Sequence, residues 1–316
     1  MFFFRTFSFD DRTGWACDAS TMADFIVRTQ ALRKEFSGNP VLRDVNVGIC
    51  RGEILGFIGE NGAGKSTFMK ILSGIHEPTS GFLESEGKSV KFRSPTEARR
   101  AGISLVPQEF NLASDLTVEE NIFLAPNWPG WGGILNRKAM RSRATALLAE
   151  LWANARTNDR IDTLSAAQKQ LVEVCKALAF DARILILDEP TTMLTRREID
   201  RLMALMRSLK ARGMTLIYIS HKLAEVKAIC DRVAILKDGQ RVHTAETAAI
   251  QPSEMARWMV GRELSEIYPS KTCELLQALG HCHRWPVRPP GGALHRQHPR
   301  VGLPPVHAPG HLRPGD

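Results

Sequence analysis

The sequence predicts an α/β fold with a parallel-sheet core, and three observations carry that prediction. Short apolar runs recur at Ile54–Ile58, Ile103–Val106, Ile184–Leu187, Thr215–Ile219 and Val233–Leu236, the signature of strands buried on both faces. Helical patterns lie between them at about Arg137–Trp152, Ala166–Ala179, Arg196–Lys210 and Leu223–Ile229, and strands alternating with helices imply a parallel sheet. A glycine-rich loop joins the first apolar run to a helical pattern at Phe68–Leu72, so strand, loop and helix follow the order a polyphosphate cradle requires.

That loop reads Gly59-Glu60-Asn61-Gly62-Ala63-Gly64-Lys65-Ser66-Thr67 and satisfies G-x-x-x-x-G-K-[ST] in full. Backbone N–H groups at a helix N-terminus can wrap a polyphosphate only where side chains stay clear, and Gly59, Gly62 and Gly64 leave that room. Lys65 places a point charge against the terminal phosphates, and the Ser66 hydroxyl is a ligand for Mg²⁺. A nucleoside triphosphate is the expected ligand. Further along, Val106-Pro107-Gln108 closes a strand with a glutamine that could reach the metal and the attacking water. From Pro107 to Asp181 the pattern is helical with no convincing strand, which reads as a helical subdomain (about residues 108–181) inserted into the sheet domain.

The strand Ile184-Leu185-Ile186-Leu187 ends in Asp188-Glu189-Pro190. Asp188 at the strand edge is placed to hold Mg²⁺ through water, and Glu189 to polarise a water beside the γ-phosphate. Tyr218-Ile219-Ser220-His221 ends another strand, and His221 falls where the triphosphate would lie.

Composition bounds the remaining possibilities. A chain of 316 residues with 43% hydrophobic content can bury a real core. No apolar stretch approaches the roughly 20 residues of a membrane helix, and the opening Met1-Phe2-Phe3-Phe4 breaks at Arg5, too early for a secretory signal. Cys17, Cys50, Cys175, Cys230, Cys273 and Cys282 are scattered without C-x-x-C spacing, which suggests neither a disulfide framework nor a zinc site. The net charge of +8 is spread over clusters that also carry apolar faces, with no aromatic-interleaved basic stretch, so no nucleic acid is expected. Residues 1–21 lack periodicity, which makes Met22 a candidate start. The tail, residues 272–316, holds six of the nine histidines and eight of the 17 prolines, and reads as disordered or out of frame. Its His281-Cys282-His283 lacks a second ligand cluster. Both ends are expected to be dispensable for folding of the domain at 22–271.

Over about residues 24–268 the chain resembles the ATP-binding cassette (ABC) ATPases. The phosphate loop, Gln108, a signature at Leu164-Ser165-Ala166-Ala167-Gln168, the Asp188-Glu189 strand and His221 occur in that family's order. The resemblance implies a P-loop NTPase fold with a parallel-sheet core, an N-terminal antiparallel β element and an inserted helical subdomain. It implies that Ser165 and the helix amides behind it face the γ-phosphate bound by an opposing cassette. The family's L-S-G-G-Q stands here with Ala166 and Ala167, which add two methyl groups to that approach. By the same resemblance Phe36 is the aromatic that stacks on adenine; by itself it reads as a core residue.

Gln170 to Leu178, with Val-Glu-Val-Cys-Lys-Ala-Leu, is similar to the Q-x-V-E-I-A-K-A-L of monosaccharide-importer ATPases (ribose, xylose or galactose type). Thr195, where many ABC proteins carry aspartate, and Arg262-Glu263-Leu264 with Tyr268-Pro269 agree with that group. Its members carry two cassettes in one chain, and this sequence looks like the N-terminal one. The resemblance therefore implies an ATPase subunit using ATP and Mg²⁺ at the cytoplasmic face of the membrane. Its partners would be permease subunits, a second cassette and, indirectly, a periplasmic sugar-binding protein. The alternatives are a truncated, largely inactive cassette, or a soluble ABC ATPase acting on nucleic acid or the ribosome.

Overall fold

The described residues of the computed structural model are 25–124, 130–131, 134–151 and 153–260. The chain divides into two units, Met1–Ile267 and Tyr268–Asp316, and every described residue lies in the first. The extension at 1–21, Met22, Trp152, Arg262-Glu263-Leu264, Tyr268-Pro269 and the tail at 272–316 lie outside the described residues.

Three antiparallel strands come first: β1 (Phe25–Phe36), β2 (Asn39–Val45) and β3 (Gly48–Cys50). β4 (Ile54–Ile58) then runs through the glycine loop into α1 (Lys65–Leu72). β5 (Ser80–Ser85), β6 (Lys88–Val90), α2 (Pro95–Arg100) and β7 (Ile103–Val106) follow. Next are α3 (Val118–Ile122), the two-residue strands β8 (Gly130–Trp131) and β9 (Ile134–Leu135), α4 (Arg137–Glu150) and α5 (Ala166–Leu178). The last elements are β10 (Ile184–Asp188), α6 (Arg196–Ala211), β11 (Thr215–Ile219), α7 (Leu223–Ile229), β12 (Arg232–Lys237), β13 (Gln240–Glu246) and α8 (Pro252–Val260).

Two sheets organise these elements. The main one has the order β13-β12-β4-β11-β10-β7, parallel throughout except for β13, which joins β12 antiparallel. The other has the order β2-β1-β5-β6, with β3 also pairing β1, and is antiparallel. This is the predicted combination of a parallel core and an N-terminal antiparallel element.

The side-chain alternation of a strand explains how the layers stack. Ile54 and Ile58, Leu185 and Leu187, Leu216 and Tyr218, and Val233 and Ile235 face a core shared with α4 to α8. Their neighbours Leu55 and Phe57, Ile184 and Ile186, Ile217 and Ile219, and Ala234 and Leu236 face a second core with α1 and the antiparallel sheet. There Phe57 stacks on Phe68, ring centroids 4.9 Å apart. Each parallel strand is buried on both faces, which is why each reads as an unbroken apolar run.

The structure also corrects the element boundaries. The first helix begins at Lys65 rather than Phe68, because Gly64 caps it in a left-handed conformation (φ 99°) and Phe68 N–H already bonds to Gly64 O at 2.9 Å. In the interval Pro107 to Asp181, where the sequence shows no strand, β8 pairs with β9 and Thr117 bridges Arg160. Two residues are too few to carry a period. Thr195 opens α6 as a capping box, its N–H and hydroxyl both donating to Glu198 at 2.7 and 2.8 Å.

Candidate nucleotide-binding site

β4 is the hub of the site because its neighbours in the sheet also end there. Parallel pairing places the C-terminal ends of β4, β11, β10 and β7 side by side. At or just beyond those ends come the phosphate loop, Ser220-His221, Asp188-Glu189 and Pro107-Gln108 respectively, Asp188 being the last residue of β10. They meet in a cavity of about 430 Å³ lined by Asn61, Gly62, Gly64, Lys65, Ser66, Thr67, Gln108, Glu189 and His221. Ligands of open α/β sheets sit at this edge.

The loop is clamped from outside as well as open within. A Cβ at Gly59 would lie 2.3 Å from Leu236 O, and one at Gly64 would lie 2.7 Å from the Leu42 side chain. These two glycines are therefore required by packing against β12 and β2, independently of any phosphate. Gly239 N–H also bonds to Ala63 O at 3.1 Å. Gly59, Glu60 and Ala63 thus shape the loop without lining the cavity.

Lys65 is buried, and its ammonium donates to Gly59 O at 2.8 Å and Glu60 O at 2.9 Å. Burial lowers its pKa, while the carboxylates of Glu189 and Asp188 oppose that shift. Asp188 hydrogen-bonds Ser66; burial raises its pKa and Glu189 raises it further, against Lys65. Two carboxyl groups beside a hydroxyl form a hard-oxygen set whose mutual repulsion a divalent cation would relieve, so these residues fit Mg²⁺. Among the described residues there is no group of three or more His, Cys, Asp or Glu placed to hold a metal. Mg²⁺ with a polyphosphate needs none, since one or two carboxylates and the phosphates suffice.

A carboxyl whose pKa is raised on folding opposes folding once ionised, and that penalty vanishes as pH falls through the folded pKa. Asp188→Asn should therefore raise the thermal midpoint of the nucleotide-free protein at neutral pH by about 1–3 °C. The gain should shrink in acid, where Asp188 is already neutral. Thermal melts of both proteins across pH check this; a lower midpoint for the variant at pH 7 contradicts it.

Glu189 adopts a left-handed backbone (φ 45°) and its N–H bonds to Ile219 O at 3.0 Å. Its Oε1 lies 3.0 Å from His221 Nδ1. Strand-end strain of this kind, held by a bond to the neighbouring strand, aims a side chain out of the sheet.

Two predicted residues lie apart from the cavity. Phe36 is 40% exposed at the end of β1, its ring edge-on to His76 at 5.3 Å and capped by Lys34 Nζ at 4.9 Å. The core reading of Phe36 is thereby overturned; residue 36 pairs with Asn39 at the hairpin tip, away from both buried clusters. Ser165 caps α5, accepting from Gln168 N–H at 3.3 Å while Gln168 Oε1 accepts from Ser165 N–H at 2.9 Å. It is exposed and lines a separate cavity of about 690 Å³ between α5 and α6. Sequence reasoning missed Val41, which lines the nucleotide cavity from β2. No alternation marks it, since Val41 and Leu42 are adjacent and the buried positions of β2 are Leu42 and Val45.

The ABC transporter profile matches residues 42–192, which spans the loop and the Asp188-Glu189 pair. The chain is 45% identical over 248 residues to the ribose import ATP-binding protein RbsA 2 of Burkholderia cenocepacia, covering 78% of this chain and 49% of that one. It is 43% identical to the ribose import ATP-binding protein RbsA of Halalkalibacterium halodurans, covering 78% and 50%. The chain thus spans about half the length of the curated relatives it matches. Among solved structures, the ATP-binding cassette MJ0796, dimeric in a post-hydrolysis state with ADP and Pi, superposes with a TM-score of 0.62 at 27% identity. It covers 71% of this chain and 100% of that one. The protein cbiO1 of Clostridium perfringens, part of an ABC transporter complex, gives 0.63 at 26% identity over 80% and 99%. With this profile, these relatives and the strand-edge cavity, the chain belongs to the ATP-binding cassette family of transporter ATPases.

Proposed function

We propose that the chain binds and hydrolyses ATP to energise an importer for a simple sugar. The observation that carries this reading is the convergence of the phosphate loop, Gln108, Glu189 and His221 on one cavity at the ends of adjacent strands. The curated relatives named as ribose import ATP-binding proteins support the transport assignment.

Each residue then has a role set by its chemistry. The loop amides and Lys65 hold the β- and γ-phosphates, so the Lys65 ammonium must turn from the loop carbonyls to the ligand. Ser66, Asp188 and Gln108 hold Mg²⁺, which screens the phosphate charge. Glu189 takes the proton of the attacking water, and His221, bonded to Glu189, contacts the γ-phosphate. Phe36, partly exposed at the hairpin tip, is the aromatic ring that would stack on adenine.

Ser165 serves the nucleotide of an opposing cassette. A second cassette, membrane permease subunits and, indirectly, a periplasmic sugar-binding protein complete the assembly at the cytoplasmic membrane face. Among the described residues no helix is long and apolar enough to cross a membrane.

Reconstitution tests this reading. Vesicles carrying the permease, with the chain and ATP-Mg²⁺ on the cytoplasmic side and a sugar-binding protein outside, should accumulate labelled monosaccharide. Accumulation should cease in Lys65→Ala. ATP hydrolysis without uptake of ribose, xylose or galactose would reject the importer assignment, and stimulation of hydrolysis by RNA or DNA would point to the soluble class instead.

A further inference from the structure

Behind the Glu189–His221 pair lies a second polar cluster that no step above uses. Its centre is Glu225 on α7. Glu225 Oε2 accepts from the Tyr218 hydroxyl at 2.5 Å and from the Thr191 hydroxyl at 2.8 Å. Its Oε1 lies 3.4 Å from Lys222 Nζ. Lys222 in turn donates to Thr191 O at 3.1 Å and Thr191 Oγ1 at 3.2 Å. The members come from three segments: Tyr218 from β11, Thr191 from the turn after β10, and Lys222 and Glu225 from the start of α7.

Their places in the chain give the cluster its meaning. Thr191 is two residues past Glu189, and Lys222 is the residue after His221. Tyr218 is fully buried and held in β11 between β4 and β10. Thr191 is 2% exposed. Each reactive side chain therefore sits on a loop whose next turn is fastened to one carboxylate, and that carboxylate is fastened to the rigid sheet. None of the four lines the nucleotide cavity.

Helix packing alone does not call for this arrangement. Val226 and Ile229 already bury α7 against the sheet. A carboxylate withdrawn from water is costly unless its lone pairs are satisfied, and two hydroxyl donors and the Lys222 ammonium compensate this one. Burial and the Glu225 contact raise the Tyr218 pKa, so its hydroxyl remains a donor at every physiological pH.

We propose that Glu225 is a positioning residue for hydrolysis, setting the distance between Glu189 and His221 by tying both loops to β11. The inference rests on the reading of Glu189 as the base. Glu225 does not line the nucleotide cavity, so its removal should affect turnover and spare ATP affinity.

The test is steady-state ATPase kinetics of the full chain, with ATP affinity from equilibrium binding, on Glu225→Ala, Thr191→Val and Thr191→Ser. Thr191→Val keeps the side-chain shape and deletes the hydroxyl, which guards against a Glu225→Ala protein that fails to fold. Both Glu225→Ala and Thr191→Val should lower kcat about ten- to a hundredfold, the scale of a small misplacement of reacting groups. Their Kd for ATP should stay within about twofold, and Thr191→Ser should restore most of the rate.

A cycle with Glu189→Gln separates the two readings. In that background Thr191→Val should change the residual rate little, because the group it positions is gone. If Glu189→Gln hydrolyses as fast as the native chain, the assignment of the base fails. If Glu189→Gln is slow but Thr191→Val turns over normally, the positioning role alone is overturned. Equal losses in affinity and kcat, or full additivity with Glu189→Gln, would likewise reject positioning and leave the cluster a structural weld.

Discussion

Glu189→Gln is expected to bind ATP as the native chain does and to hydrolyse it at least about 10²-fold more slowly. The replacement is isosteric, and an amide still hydrogen-bonds His221 across the 3.0 Å contact. Backbone placement, fixed by the bond from Glu189 N–H to Ile219 O, is untouched. Only basicity is lost. Chemistry should stop while the ATP-bound state persists, so this variant also reports on assembly. Sizing with and without Mg-ATP should show an ATP-dependent shift to twice the mass if two copies can pair through Ser165. Ser165→Arg should abolish that shift. Hydrolysis by Glu189→Gln at the native rate would remove Glu189 from the chemistry.

Lys65→Ala should weaken ATP binding by about 30-fold or more, the effect of deleting one partner of a buried charged contact at 2–5 kcal/mol. A second consequence follows from the nucleotide-free geometry. The ammonium that meets phosphate also bonds Gly59 O and Glu60 O, so its loss leaves two loop carbonyls without that donor. It also removes the cation that offsets the Asp188–Glu189 repulsion. Titration calorimetry gives the affinity, and a thermal melt of the same sample gives the stability. Unchanged affinity would mean that the loop amides alone hold the phosphates.

What the sequence reveals and what it hides divide along physical lines. The five parallel strands are legible because two cores bury both faces, and such strands read as apolar runs. β1, β5 and β13 are not, since they are half-buried and irregular. β1 carries register shifts and a left-handed Ala31 (φ 45°) that break its alternation. α3, with five residues, is too short for a helical period.

At the site, the loop is legible because its backbone path admits few sequences. Gln108 and His221 gain meaning from strand ends and from the order of motifs. Val41 and the Thr191–Tyr218–Lys222–Glu225 cluster are hidden for a different reason. Each residue is ordinary where it stands, and its significance arises from pairing across the fold, as between Thr191 and Glu225, 34 positions apart.

The position of β4 has a consequence for biosynthesis. Both strands that pair with it, β11 and β12, are made long after it, and no earlier strand of the sheet touches it. The clamp on Gly59 likewise waits for Leu236. While the ribosome is still translating the helical region, Ile54-Leu55-Gly56-Phe57-Ile58 can pack one face on α1 and the first antiparallel strands but has no strand to pair with, and an unpaired apolar edge of this kind associates between chains. At that stage the phosphate loop rests on β2 through Leu42 but lacks the contact with Leu236. The complete cradle, with the strand ends that carry Glu189 and His221 beside the loop, therefore exists only once β11 and β12 are in place.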